Sequence, residues 1–260
     1  MAAMRILLTN DDGIDAPGLR ALYEAVKGLG EIAVSAPEKQ HSAAGHSITL
    51  HVPFSVRRKA WPDVPLSFAV GSTPADSVRL AVLQLLPWKP DLVVSGINHG
   101  ANYGTLVLYS GTVAAAAEAA ILHIPSFAVS STSYDWDDYS TAGKAAAHIA
   151  RVIGEKGLPS DILFNVNVPP LPVDAVKGMR LTHQGDYRHV DDLLPHETKE
   201  DHYAYIWGTP VHRTDDDPGS DVSCVREGYI AITPIHLDLT ARQHFEALRR
   251  LPLEGDAWKA

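Results

Sequence analysis

Two adjacent carboxylates, Asp11 and Asp12, follow the apolar run Ile6-Leu7-Leu8 and are closed by Gly13. At about 4 Å two like charges repel by a few kcal/mol even at an effective dielectric near 20. Held together at a strand exit, they call for a cation or a shared proton. A second group is Ser95-Gly96-Ile97-Asn98-His99-Gly100-Ala101-Asn102-Tyr103-Gly104. Its asparagines, Asn98 and Asn102, offer neutral oxygens suited to a hard cation, and its glycines let backbone N–H groups approach an anion. A third is Tyr109-Ser110-Gly111-Thr112-Val113, which opens an Ala-rich helix. Ser110 reads as the N-cap and Gly111 leaves the first-turn N–H groups accessible, an arrangement that attracts anions. Each group also has a bland reading: an acidic turn, a turn needing positive φ, a simple cap. Their shared position after apolar runs favours the chemical one.

Other chemistries find no support. The 13 histidines form no His-Glu-x-x-His and no paired His/Cys spacing. Gly71-Ser72-Thr73-Pro74 is not a Walker loop, and no Gly-x-Gly-x-x-Gly follows a strand, which disfavours ATP-dependent transfer and dinucleotide redox chemistry. The single cysteine, Cys224, lies far from these groups and points to a reducing cytoplasmic setting. The Asp-rich 215–221 run reads as a solvated loop. A net charge of -9 argues against nonspecific binding of duplex nucleic acid or of membranes. That charge is unevenly spread, with 9 basic and 10 acidic residues in 1–130 against 13 and 21 in 131–260. The half holding the candidate residues is therefore nearly neutral.

The elements that must position these residues alternate. Residues 4–10 read as a buried strand. A helix follows, with Asp15 as its cap, Pro17 in the first turn, and Leu19, Leu22, Tyr23 and Val26 at helical spacing. Strands are expected at 32–35, 48–56, 66–70, 91–95, 126–129 and 162–168. Helices are expected from Thr73-Pro74-Ala75-Asp76 to about 86, over 111–123, and near 139–153. The alternation predicts a Rossmann-like α/β fold, a mostly parallel sheet with helices on both faces and ligands at the carboxyl ends of its strands. Beyond Pro172 the texture becomes β-rich, with a strand over 228–234 and a terminal helix over 241–251. The chain is expected to be a single domain, 1–182 carrying the site and 183–260 adding hairpins and the last helix for oligomerisation. With 260 residues it needs no disulfide to fold. No targeting or membrane segment is expected.

Taken together, these segments resemble the SurE (survival protein E) family of metal-dependent 5′-nucleotidases. The resemblance rests on Ile6-Leu7-Leu8-Thr9-Asn10-Asp11-Asp12-Gly13, Thr73-Pro74-Ala75-Asp76-Ser77-Val78, Val94-Ser95-Gly96-Ile97-Asn98 and Tyr109-Ser110-Gly111-Thr112-Val113. Asn165-Val166-Asn167-Val168-Pro169 and Gly228-Tyr229-Ile230-Ala231-Ile232-Thr233-Pro234 extend it into the second half. It implies one divalent ion per subunit, Mg²⁺ or Mn²⁺, held by Asp11, Asp12, Ser42 and Asn98. Nothing but the resemblance singles out Ser42, and where the family often has glycine next to that serine this chain has Ala43.

The reading that follows is hydrolysis of nucleoside 5′-monophosphates, extending to 3′-monophosphates and short polyphosphate. Asp11, Asp12 and Asn98 would be catalytic, a metal-activated water would attack in line, and Asn102, Ser110, Gly111 and Thr112 would hold the phosphate. The general acid is unassigned, with His46 and Asn10 as candidates. The resemblance further implies a homodimer or homotetramer built through the C-terminal elements. The competing reading is a non-catalytic nucleotide or metal sensor on the same scaffold.

Overall fold

The structure, a computed structural model, describes residues 3–61, 63–159, 161–187, 189–190, 193–199, 202–207, 211–212, 215, 217–251, 253 and 255, without the side chains of 189–190, 197–199, 202 and 211–212. Its elements run β1 (Met4–Thr9), α1 (Pro17–Val26), β2 (Gly30–Pro37), β3 (Val56–Arg58), β4 (Ser67–Val70), α2 (Pro74–Leu80) and β5 (Leu92–His99). Next come α3 (Gly111–Ile121), β6 (Ser126–Ser131), α4 (Ser140–Lys156), β7 (Ile162–Val168) and β8 (Met179–Leu181). The second half adds β9 (His189–Val190), β10 (Leu193–Lys199), β11 (His202–Trp207), β12 (Val211–His212), α5 (Asp221–Arg226), β13 (Ile230–His236) and α6 (Phe245–Leu248).

Nine strands form one sheet in the order β3-β4-β2-β1-β5-β6-β7-β13-β8. The run from β4 to β7 is parallel, β3 pairs antiparallel with β4, and β13 pairs antiparallel with β7 but parallel with β8. This is the expected Rossmann-like α/β arrangement. Alternation along the central strands sorts the core into two layers, because successive side chains point to opposite faces. Ile6, Leu8, Ile32, Val34, Leu92 and Val94 pack with Leu19 and Leu22 of α1 and Ile149 of α4. Leu7, Ala33 and Val93 face Val78 of α2 and Ala115 and Ala119 of α3. α3 is buried all along 111–120. Its alanines let it lie close against the sheet, which places its N-terminus at the carboxyl edge of β1 and β5.

Several local expectations fail for identifiable reasons. Thr73 caps α2 as expected, accepting from the Asp76 N–H at 3.1 Å. α1, by contrast, is capped at Ala16 without a side-chain bond. Asp15 instead pairs with Lys59 at 2.6 Å, and Pro17 alone sets the helix start. Of the strand expected over 48–56 only Val56 is in a strand, as the first residue of β3. The apolar residues Ile48, Leu50 and Val52 are 42%, 62% and 60% exposed, so no sheet face receives them. The strand expected over 91–95 runs on to His99, carrying Asn98 at its end with a register irregularity between Gly96 and Asn98. The helix over 241–251 reduces to a 3₁₀ turn, Arg242–His244, and the single turn of α6. Of the 215–221 run expected as a solvated loop, 217–219 are exposed, the last acid, Asp221, is buried as the first residue of α5, and Asp216 lies outside the described residues.

Strands β8 and β13 of the second half complete the main sheet, and β10 and β11 form a separate two-stranded hairpin. Among the described residues no helix is long and apolar enough to cross a membrane.

Candidate active site and metal centre

The carboxyl ends of β1 and β5, the loop after β2 and the start of α3 enclose a cleft of about 220 Å³. Asp11, Asp12, Ser42, Asn98, Asn102 and Ser110 all line it. The loop carrying Ser42 is fixed along its length. The His41 N–H donates to the Asp11 carbonyl at 2.8 Å, and the Gly45 N–H to the Tyr109 carbonyl at 3.0 Å. Further on, the Thr49 N–H donates to Asp76 at 2.9 Å and the Thr73 hydroxyl to the Ser47 carbonyl at 2.8 Å. Ala43 takes a left-handed backbone, φ +55°, a conformation glycine adopts more readily.

Both acids are costly to ionise where they stand. Burial pushes the Asp11 carboxyl up to about 6 against the Thr112 hydrogen bond, and the neighbouring Asp12 charge adds to the rise. Burial also raises Asp12, opposed by the His99 backbone N–H at 3.3 Å and the Gln40 amide at 3.3 Å. Asn98 donates its amide N–H to the Gly100 carbonyl at 2.9 Å, which leaves its side-chain oxygen as an acceptor. Two carboxylates with an amide oxygen and a hydroxyl suit a hard divalent cation such as Mg²⁺ or Mn²⁺. The residues present therefore fit the metal, and its charge would offset the burial of both acids. Among the described residues no group of three or more His, Cys, Asp or Glu has metal-binding geometry.

The start of α3 is arranged differently from the expectation. Ser110 is the N-cap, accepting from the Val113 N–H at 3.1 Å. Gly111 and Thr112 are buried and do not line the cleft. A Cβ at Gly111 would fall 2.8 Å from the Asp11 Cβ, so only glycine lets the helix approach this closely. Thr112 donates its hydroxyl to Asp11 Oδ1 at 2.6 Å. The anion at this helix N-terminus is thus Asp11 itself.

Asn102 is held from below by β7. Its N–H donates to Asn167 Oδ1 at 2.9 Å, and its carbonyl accepts from the Asn165 amide at 2.6 Å. The Asn102 side chain donates to Ser130 Oγ at 2.9 Å. Neither candidate general acid reaches the cleft. His46 Nε2 is hydrogen-bonded to Glu118 at 2.9 Å, and Asn10 is buried with its amide donating to the Gly13 carbonyl.

Sequence reasoning gave no role to Gln40, His99, Leu106, Tyr109 or Tyr134, which also line the cleft. Leu106 and Tyr109 flank Ser110 and could have been placed with it. Tyr134 comes from the loop after β6 and carries no local signal; its ring meets His99 edge-on at 5.6 Å. None of the described residues lining the cleft is a lysine or arginine.

The sequence profile of the Survival protein SurE family matches residues 6–191. The chain is 44% identical over 251 residues to the 5′-nucleotidase SurE of Pelotomaculum thermopropionicum, covering 95% of each chain. It is 47% identical over 249 residues to the 5′-nucleotidase SurE of Symbiobacterium thermophilum, covering 94% of this chain and 97% of that one. The structure superposes on the SurE protein of Aquifex aeolicus with a TM-score of 0.81 and 35% identity, over 95% of this chain and 98% of the other. The family match over residues 6–191, near full-length similarity and a common fold agree, and the chain belongs to the survival protein SurE family.

Proposed function

We propose that this protein is a divalent-metal-dependent 5′-nucleotidase, releasing phosphate from nucleoside 5′-monophosphates. The observation that carries the reading is a cleft with one buried and one half-buried carboxylate, Asp11 and Asp12, and no lysine or arginine among its described lining residues. Such a cleft repels a phosphate dianion unless a cation reverses its field. Relatives named 5′-nucleotidase SurE support the same reading.

Asp11, Asp12, Ser42 and Asn98 would hold Mg²⁺ or Mn²⁺, one ion per subunit. A bound divalent ion supplies Lewis acidity to the phosphoryl group and acidifies a water for in-line attack. The chain's own residues orient the groups around it. Asp11 and Asp12 provide the negative charge that selects the cation, and Thr112 and Gly111 fix Asp11 against the start of α3. Asn102 and Ser110 contact the phosphate, with Asn165 and Asn167 setting the position of Asn102. Leu106, Tyr109 and Tyr134 wall the cleft and restrict water.

Recognition centred on the terminal phosphoryl group extends the reading to 3′-monophosphates and short polyphosphate. The proposed setting is the cytoplasm, and the proposed assembly a homodimer or homotetramer. Leu193, Leu194, Tyr205, Ile206 and Trp207 are exposed on the β10–β11 hairpin and offer an apolar surface for it. Asp11→Asn tests the function. It keeps the side chain's shape and removes one of the two charges, so metal-stimulated phosphate release should fall by about a hundredfold or more. Release unchanged in excess Mg²⁺ or Mn²⁺ would show the mechanism to be wrong.

A further inference from the structure

The acidic run 215–221 has no part in the proposed reaction, yet its last member is not solvated. Asp221 has no exposed surface. Its carboxylate accepts three backbone N–H groups: Gly104 at 3.1 Å, Gly185 at 2.9 Å and Val222 at 2.9 Å. Among the described residues no ion pair balances it, and burial pushes its carboxyl above the ordinary range. Burying a carboxylate costs several kcal/mol, which the three N–H donors offset.

What those bonds join are two distant segments. Gly104 belongs to the loop of the cleft, and Gly185 to the strand-poor stretch that leads into β9 and the hairpin beyond. Contacts between the two accumulate around Asp221. The Gln184 amide donates to the Gly104 carbonyl at 2.9 Å. The Tyr187 carbonyl accepts both the Thr105 N–H at 3.0 Å and the Thr105 hydroxyl at 2.6 Å. The rings of Tyr103 and Tyr187 meet edge-on at 5.1 Å. Gly104 has φ +54°, and a Cβ there would fall 2.5 Å from the Tyr187 Cβ, so the approach requires glycine. From Gly104 the chain enters a 3₁₀ turn, Gly104–Leu108, which delivers Leu106, Tyr109 and Ser110 to the cleft.

We propose that Asp221 is a positioning residue that latches segment 184–187 onto the cleft loop, so that the C-terminal half sets the enzyme's affinity for the substrate phosphate. The inference rests on the proposed nucleotidase reading for its kinetic consequence, but the latch itself is a structural claim. Loss of the latch loosens residues 103–110 while Asp11, Asp12 and Asn98 keep their own supports in β1 and β5, and the Ser42 loop keeps its His41 bond to the Asp11 carbonyl. Substrate binding should weaken and the metal requirement should stay.

The test uses the full chain with Asp221→Asn and, separately, Gln184→Ala. Hydrogen–deuterium exchange reads the latch directly: amides of 103–110 should exchange about tenfold faster or more, with β1 and β5 unchanged. Steady-state assays with adenosine 5′-monophosphate should show KM raised about tenfold and the half-activating Mn²⁺ concentration within about twofold of the parent. Inhibition by inorganic phosphate should weaken in step with KM. Unchanged exchange over 103–110 in both variants, or an unchanged KM, would overturn the proposal. So would a metal requirement that shifts as much as KM. Should Asp221→Asn fail to fold, Gln184→Ala decides whether the docking of 184–187 sets the cleft loop, because it removes a bond across that contact, and unchanged exchange over 103–110 or an unchanged KM would then overturn the proposal. If the parent protein releases no phosphate from any nucleoside monophosphate, the nucleotidase reading fails while the exchange measurement still decides the latch.

Discussion

Thr112→Val separates two roles for a residue at the heart of the site. Its place at the start of α3 predicts that Thr112 touches phosphate. The structure has it fully buried, giving its hydroxyl to Asp11 Oδ1 at 2.6 Å. Valine keeps the branched shape, so packing under α3 changes little, and the Ser110 cap on the Val113 N–H is untouched. What is lost is a hydrogen bond to a carboxylate in a place water cannot refill, worth about 1.5–3 kcal/mol, together with the longer 3.4 Å bond from the Asn102 amide, which also donates to Ser130. Bonds of this kind orient metal-ligating side chains, and their removal typically costs about 10–100-fold in metal affinity or activity. The half-activating concentration of Mn²⁺ should therefore rise by about tenfold to a hundredfold. At saturating metal, KM for nucleotide should stay within about twofold of the parent. The assay is phosphate release titrated with Mn²⁺ at fixed substrate, then with substrate at saturating Mn²⁺. A raised KM with an unchanged metal requirement would refute the reasoning and return Thr112 to the phosphate.

Two further predictions concern groups outside the reaction. Glu118 is buried and bonded to Arg79 at 2.6 Å and to His46 at 2.9 Å. Burial alone would raise its carboxyl, but the bonds from His46 and Arg79 outweigh it and hold the group below the ordinary glutamate range. A carboxyl depressed in the folded state stabilises above its unfolded value, and that contribution is lost as pH falls through the folded one. Glu118→Gln should thus cost about 2 kcal/mol near neutral pH by urea melting, with the gap to the parent closing in acid; a gap independent of pH would contradict this. Cys224 has no exposed surface, and burial pushes its thiol up to about 11. Alkylation by iodoacetamide at mildly alkaline pH should be slower than in the urea-unfolded chain by about a hundredfold, and equal rates would show the thiol to be accessible.

The sequence made the site legible where chemistry and local structure coincide. Asp11-Asp12-Gly13 ends a strand whose apolar residues are continuous, and Thr73 and Ser110 carry their capping roles in their side chains. Asn98 was legible as a residue but not as a position, because Gly96 looks like a loop starter while the strand continues through an irregular register to His99. Ser42 was invisible apart from the family resemblance: its loop is held by backbone bonds to Asp11 and Tyr109 that leave no trace in composition. Periodicity misled at 48–56, where alternating apolar residues face outward rather than into a sheet. Asp221 shows the opposite error. An acid in an Asp-rich run reads as solvated, yet it is buried because two distant glycine N–H groups need an acceptor.

The central claim is that a cation turns an acidic cleft into a phosphate site, and chelation tests it most directly. Phosphate release from a panel of nucleoside 5′-monophosphates, 3′-monophosphates and short polyphosphate would be followed with Mg²⁺, with Mn²⁺, and with excess chelator. The account predicts turnover of 5′-monophosphates with at least one of the two ions, its loss on chelation and its return when the ion is restored. Turnover that survives chelation, or tight nucleotide binding without metal-stimulated release, would contradict it, and the second result would mark the protein as a sensor.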